Sequence, residues 1–324
     1  MANLLGIKKL YLKDDGRNPS ASFKDRASAV AYVRARETGA KVITGASTGN
    51  AASALSCITA SVDFPTVIFV PKTAPRAKIT QLLVFGAKVI AVDGTYDDAF
   101  DLCLKVTEKY GWYNRNTGYN PFTREGKKTC AYEICEQLNW KVPDKVFVSV
   151  GDGNIISGIW KGFKDLKAIG LIKKLPKIVG VQSSKSNAVY KAWKNKTKIK
   201  PVKATTIADS ISVDFPRDGD FALRAVIESD GFMVEVSDKE ILSAIKKVAR
   251  GAGVFGEPAG VTSYAGIEKA VKEKLVSKND VCVVIITGNG LKDIDSAMKT
   301  VKAPFLIKPD LNSFSKLVKK LNLK

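Results

Sequence analysis

The sequence predicts an α/β protein of two domains with largely parallel sheets, and three observations carry that expectation. Short apolar runs alternate with helical stretches along most of the chain, the pattern of successive β-α units. Two runs, Val146-Phe-Val-Ser-Val150 and Val281-Cys-Val-Val-Ile-Ile286, are apolar on both faces, as strands covered by helices on each side must be. At 324 residues and 45% hydrophobic content, the chain has the length for two domains or one large α/β unit.

Taken in order, strands are expected at Val42–Thr44, Thr66–Val70, Lys88–Val92, Lys145–Val150, Ile178–Gln182, Phe232–Val236 and Val281–Thr287. Helices are expected at Asp25–Glu37, Asn50–Ala60, Pro75–Phe85, Tyr96–Tyr110, Gly126–Leu138, Ser157–Leu166, Asp238–Arg250, Pro258–Glu273 and Leu291–Ser296. Of the two densest lysine stretches, Lys191–Lys198 reads as a loop and Lys316–Lys324 as an amphipathic tail helix.

Composition narrows the function. The first residues lack the basic start and apolar core of a signal peptide, and no apolar run reaches the eighteen residues of a membrane span. The five cysteines are scattered without a C-x-x-C pair, and the chain holds no histidine. That excludes a His-assisted nucleophile, makes a metal site unexpected, and reads as reduced thiols of a cytoplasmic protein. A formal net charge of +20 favours polyanions in general. The charge is mostly lysine interspersed with acids, however, and no nucleic-acid motif accompanies it, so no nucleic-acid partner is expected.

Four segments carry candidate chemistry. In Asn18-Pro-Ser-Ala-Ser-Phe-Lys-Asp-Arg26 a loop of small residues runs directly into a helix and places Lys24 at its start, where a solvent-facing lysine would read the same way. Ala46-Ser-Thr-Gly-Asn50 precedes another helix, where it can cap the helix or hold an anion at its N-terminus. Gly151-Asp-Gly-Asn-Ile155 links a strand to a helix. Two glycines there let backbone N–H groups converge beside a positive helix end, a phosphate cradle, though an ordinary β-α turn reads the same way. Thr287-Gly-Asn-Gly-Leu-Lys-Asp293 ends the last apolar strand.

In this order the motifs resemble those of pyridoxal-phosphate enzymes of the tryptophan-synthase-β type, and most closely the threonine synthases. The resemblance covers nearly the whole chain. It implies that Lys24 carries pyridoxal 5′-phosphate as a Schiff base. It further implies cofactor contacts from Asn50 to the 3′-oxygen, from Gly151, Asp152, Gly153, Asn154 and Ile155 to the phosphate, and from Thr287 to the pyridine nitrogen. A carboxylate repels phosphate, so the Asp152 side chain is expected to point away from the site. Ser47 and Thr48 would bind the substrate carboxylate, and Asn120, Arg124 and Lys127 would contribute to substrate binding. Glu257-Pro-Ala-Gly260 resembles a run near the cofactor, but its Glu-Pro start suits a helix N-terminus equally.

Residues 1–38 with 125–324 would form the larger, cofactor-binding domain and residues 39–124 a smaller inserted one, with the cofactor in the cleft between them. The family usually has more chain before the position of Leu10–Asp15, so a trimmed or minimal N-terminus is expected, and the enzyme is expected to be a homodimer.

The implied reaction converts O-phosphohomoserine and water into threonine and phosphate. The alternatives are a threonine or serine dehydratase and a phosphoserine-dependent β-replacement synthase. Two positions depart from the threonine-synthase pattern. In Asn-Ser-x-Asn-Pro-x-Arg-x-Glu-Gly-x-Lys-Thr the arginine falls on Thr123, with Arg124 one residue later. In Ala-Thr-Ala-Ile-Arg it falls on Ser212. A substrate phosphate favours planar, bidentate donors, so Arg124, Lys127 and Arg217 are the candidates to compensate.

Overall fold

The structure, a computed structural model, describes residues 1–74 and 76–323. Its strands are β1 (Lys9–Asp14), β2 (Ile43–Ala46), β3 (Thr66–Pro71), β4 (Lys88–Val92), β5 (Tyr113–Asn114), β6 (Lys145–Ser149), β7 (Lys177–Ser183), β8 (Phe232–Val236) and β9 (Val281–Ile286). The first helices are α1 (Ala2–Leu5), α2 (Lys24–Glu37), α3 (Asn50–Ala60), α4 (Arg76–Val84), α5 (Tyr96–Tyr110), α6 (Phe122–Lys127) and α7 (Thr129–Gln137). After β6 follow α8 (Asn154–Ala168), α9 (Ala188–Asn195), α10 (Gly219–Glu228), α11 (Asp238–Ala252), α12 (Pro258–Lys272), α13 (Ile294–Met298) and α14 (Leu311–Leu321).

The strands form two sheets, one of five in the order β1-β9-β6-β7-β8 and one of four in the order β4-β3-β2-β5. Every described strand pair is parallel. Helices cover both faces of the larger sheet, which explains its doubly apolar strands. Val146, Val148, Val283 and Ile285 enter one core cluster, whereas the alternating Phe147, Cys282, Val284 and Ile286 enter the other. The smaller sheet divides in the same way, with Ile43, Ile68 and Val70 on one face and Ala46, Val67 and Phe69 on the other. The α/β class with parallel sheets is therefore as expected.

Several elements differ from the sequence reading. Strand β1 was not expected; it pairs only with β9, at the sheet edge, and its three lysine and aspartate side chains weaken its apolar signal. The two-residue β5 is too short to show periodicity. Lys191–Lys198 is not wholly a loop, because Ala188, Val189 and Ala192 form the buried stripe of α9 as far as Asn195. Helix α10 was also unforeseen. Gly126 does not open a helix: it lies in the last turn of the short α6, where a Cβ would meet the Arg26 carbonyl oxygen at 2.1 Å, so it permits the close crossing of α2 and α6. The helix expected from Ser157 begins at Asn154, immediately after Gly153 at φ +93°. Of the helix expected at Pro75–Phe85, the described part runs from Arg76 to Val84; Pro75 lies outside the described residues. Among the described residues, no helix is long and apolar enough to cross a membrane.

Candidate active site

The carboxyl ends of β2, β6 and β9 open onto a cavity of about 1030 Å³, the position where open parallel sheets bind ligands. Lys24, Ser47, Thr48, Asn50, Lys127, Thr287 and residues 151–155 all line it. Segments more than two hundred residues apart in sequence thus meet around one space.

Lys24 is the first residue of α2, and the loop before it is tied to the end of β9. Phe23 N donates to Thr287 O at 2.9 Å, and Ser22 forms an antiparallel bridge with Gly288. The half-buried Lys24 amine is held below the usual lysine pKa, first by burial and then by the positive charge of Arg115; Glu257 and Asp152 partly offset this. A lowered pKa makes the neutral, nucleophilic amine more available.

Across the cavity, residues 151–155 form the turn into α8. None of their backbone N–H groups donates to a protein acceptor among the described residues. They therefore point free donors at the cavity beside a positive helix end. Both glycines are sterically required. A Cβ on Gly151 would lie 2.9 Å from Ile211 Cα, and one on Gly153 would lie 2.6 Å from Asp218 O, with φ already at +93°.

The Asp152 carboxylate does not turn away from the site as expected. Its Oδ1 accepts from Arg217 N at 3.4 Å, and its charge acts on both Lys24 and Lys127. Burial raises its pKa, which weakens the repulsion that motivated the expectation.

Asn50 begins α3, and its amide donates to Glu257 Oε1 at 2.7 Å. Glu257 is 5% exposed, and burial raises the pKa of its carboxyl. It is a cavity residue whose place the sequence left open, between a helix start and a functional run. Thr287 follows β9 directly and is 7% exposed, with no carboxylate at its own position.

Two expected substrate residues do not line the cavity. The Asn120 amide donates to Asn114 O at 2.7 Å and so braces its own loop. Arg124 points to Asp218 Oδ1 at 2.5 Å, with its guanidinium 3.7 Å from the centre of the Phe221 ring. Thr123 is fully buried and donates to Asn120 O at 2.8 Å, whereas Ser212 and Arg217 reach the cavity wall. The Arg217 guanidinium stacks on Phe100 at 4.3 Å and lies 3.8 Å from Asp97.

Sequence reasoning missed Arg115, Asn116 and Tyr96, all of which line the cavity. Asn116 Oδ1 accepts from Ala46 N at 2.7 Å, and Tyr96 Oη donates to Ala46 O at 3.2 Å, so both shape the Ser47–Asn50 loop. Arg115 follows the unforeseen β5, and no motif marks it.

A desolvated lysine, an anion cradle that admits no Cβ, and a neutral hydroxyl at the end of β9 together fit a phosphorylated aldehyde cofactor. Residues 1–288 match the pyridoxal-phosphate dependent enzyme family, and the chain belongs to that family. Within it, the chain is 41% identical over 320 residues to the threonine synthase of Methanocaldococcus jannaschii, a match covering 98% of this chain and 79% of that protein. It is 36% identical over 321 residues to the threonine synthase of Methanosarcina acetivorans, with the same coverages of 98% and 79%. Among solved structures, the processed form of threonine deaminase isoform 2 from Solanum lycopersicum matches with a TM-score of 0.81 and 26% identity, covering 93% of this chain and 84% of that one. Maize serine racemase shares the fold, with a TM-score of 0.77 at 21% identity over 99% of this chain and 90% of that one.

Proposed function

We propose that this enzyme is a threonine synthase, converting O-phosphohomoserine and water into threonine and phosphate. The observation that carries the reading is the meeting of Lys24 with an anion cradle in a cavity lined by further cations, Arg115 and Lys127. Relatives named threonine synthase, matched over nearly the whole chain, support it.

Pyridoxal phosphate, when bound, supplies an electron sink for charge developing on the substrate carbons. The residues around it then divide the remaining work. Residues 151–155 would hold the cofactor phosphate through backbone N–H groups, and Lys24 would anchor the cofactor. Thr287 would meet the pyridine nitrogen as a neutral hydrogen-bond partner. Ser47, Thr48 and the start of α3 would fix the substrate carboxylate. With its lowered pKa, the Lys24 amine is suited to take the proton from substrate Cα and return protons later. Phosphate leaves Cγ, and water adds its hydroxyl at Cβ.

The test is product analysis with phosphohomoserine, phosphoserine, threonine and serine in parallel. Phosphate release from phosphohomoserine with threonine as co-product is expected. Ammonia and a keto acid from unphosphorylated threonine, with no phosphate from either ester, would move the reading to a dehydratase.

The division into residues 1–38 with 125–324 and residues 39–124 belongs to the same proposal, and it is supported by the smaller sheet, whose four strands β2, β3, β4 and β5 all lie within 39–124. So do a homodimer, cytoplasmic residence and the absence of a nucleic-acid partner. The tail helix α14 buries none of its residues and leaves Leu311 and Phe314 exposed, which supports self-association. Mass measurement in solution tests the dimer: a monomer at micromolar concentration counts against it.

A further inference from the structure

We propose that Arg115 and Lys127 form a clamp for the substrate's phosphate, standing in for the arginine whose place is taken by Thr123. This inference rests on the threonine-synthase reading and adds to it the residues that select a phosphorylated amino acid.

Arg115 is 2% exposed and lines the cavity. Its Nε donates to Ser28 Oγ at 3.3 Å, while Nη2 is buried without a hydrogen-bond partner among the described residues. Nothing in the fold requires a guanidinium in that state; a buried donor left bare is costly unless a ligand completes it. The backbone fixes its position, since Arg115 N donates to Thr44 O at 2.9 Å beside the Ser47–Asn50 loop.

Lys127 supplies the second charge. It is fully buried in the last turn of α6, four residues after Thr123 and so on the same helical face. Its Nζ donates to Asn154 Oδ1, whose amide in turn is held by Asp218. The neighbouring cations are already committed: Arg124 to Asp218, and Lys128 to Glu125 and Asp165. A cation lost at Thr123 therefore reappears one turn later at Lys127, with Arg115 facing the same cavity.

Among the described residues no carboxylate forms an ion pair with either side chain: Asp25 acts on Arg115, and Asp218 and Asp152 on Lys127, only at a distance, and each of these carboxylates accepts its hydrogen bonds from other groups. Burial is the main cause that brings Arg115 down to about 10, and burial with repulsion from Lys24 and Arg115 holds Lys127 well below the usual lysine value. A dianion is the ligand that would relieve both cations at once. The backbone cradle at residues 151–155 can satisfy the cofactor's phosphate, so the side-chain pair is assigned to the substrate's.

The experiment compares holoenzymes carrying Arg115→Gln, Lys127→Gln and the double change Thr123→Arg with Lys127→Gln. Each single variant should raise KM for phosphohomoserine by about tenfold or more and weaken competitive inhibition by inorganic phosphate to a similar degree. Cofactor affinity, followed by the visible absorption on titrating pyridoxal phosphate, should stay within about twofold on this assignment. The double variant should recover phosphate inhibition relative to Lys127→Gln, which a merely structural role would not produce. Loss of cofactor affinity with unchanged phosphate inhibition would overturn the proposal and assign the pair to the cofactor's phosphate. Unchanged values throughout would overturn it as well. If the wild-type enzyme releases no phosphate from any ester, the threonine-synthase reading fails by itself. Inorganic phosphate binding to the holoenzyme, measured by calorimetry, then still decides the clamp: binding weakened in Arg115→Gln supports it, and unchanged binding overturns it.

Discussion

Arg26 and Arg115 are both guanidinium groups removed from water, and their surroundings are opposite. Arg26, with a side chain 7% exposed, makes five hydrogen bonds: two to Asp15, two to Glu133 and one to Thr129. They pin α2 to the end of β1 and to α7. Arg115 has one bond of 3.3 Å and a bare Nη2. A saturated buried cation serves the fold, whereas an unsaturated one at a cavity wall waits for a ligand. The same contrast separates Lys128, paired with two carboxylates, from Lys127 beside it. Lys24 belongs to the unsaturated group, two residues from Arg26 on the same helix, so a single turn of α2 carries both kinds.

The largest effect is expected at Lys24. Lys24→Ala should lower kcat by about 10³-fold, because one side chain would lose both its nucleophilic and its proton-transfer roles. In the unaltered enzyme, borohydride reduction and peptide mapping should place the cofactor's mass on the peptide containing Lys24. An adduct on a different lysine would remove Lys24 from the unsaturated group.

Stability measurements break the comparison most directly. Arg26→Ala should destabilise the protein by about 3–5 kcal/mol, since it leaves the buried Asp15 without its counter-charge, while Glu133 retains Lys13. Arg115→Met, in phosphate-free buffer, should leave the denaturation midpoint unchanged or raise it, because it removes a desolvated charge that no carboxylate pairs with. If both variants lose stability equally, Arg115 is part of the scaffold and the distinction collapses.

How much of this was legible in the sequence follows from the same contrast. The backbone-built features were readable: a cradle needs Gly151 and Gly153, and the lysine loop needs small residues before a helix. The fully covered strands were readable because each of their side chains is apolar. Arg115 was not, because it follows the two-residue β5, whose pairing with β2 depends on chain folded far away in sequence. Lys127, not Lys128, was named from motif position, and the structure does place it at the cavity wall. What the sequence does not show is its full burial, which comes from the close packing of Gly158 on the Lys127 side chain, with 2.7 Å from an added Cβ to Lys127 Cβ. Asn120 and Arg124 were named as substrate residues from motif position; Asn120 is instead held by Asn114, six residues earlier in its own loop, and Arg124 by Asp218 from a distant segment.

A smaller effect is expected at Thr287. Thr287→Asp places a carboxylate beside the proposed position of the pyridine nitrogen and favours its protonated form. The fraction of turnovers ending in transamination should rise about tenfold relative to phosphate release. Unchanged partitioning, measured as keto acid formed per phosphate released, would separate Thr287 from that contact.

The smallest expected effect is a pH slope that reports the unsaturated cations together. In the cofactor-free protein Lys24 and Lys127 both have lowered pKa values, chiefly through burial. Below those folded-state values the lysines are protonated whether folded or unfolded, and the cost of burying the charge is fully present. As pH rises through the lowered values toward the ordinary lysine value near 10.5, the unfolded chain holds more protons than the folded one. Stability should therefore increase with pH across that window, by at most about 1.4 kcal/mol per pH unit for each lysine, and level off above it. The raised carboxyls of Asp152 and Glu257 bring the opposite slope between their ordinary and their raised values, where the folded state holds the extra protons. Saturating phosphate should flatten the alkaline rise, because a bound dianion keeps the lysines charged in the folded state. Denaturation midpoints measured from neutral pH to pH 10, with and without phosphate, check this. A midpoint that falls over that range in phosphate-free buffer would mean that these lysines are as well compensated as Arg26.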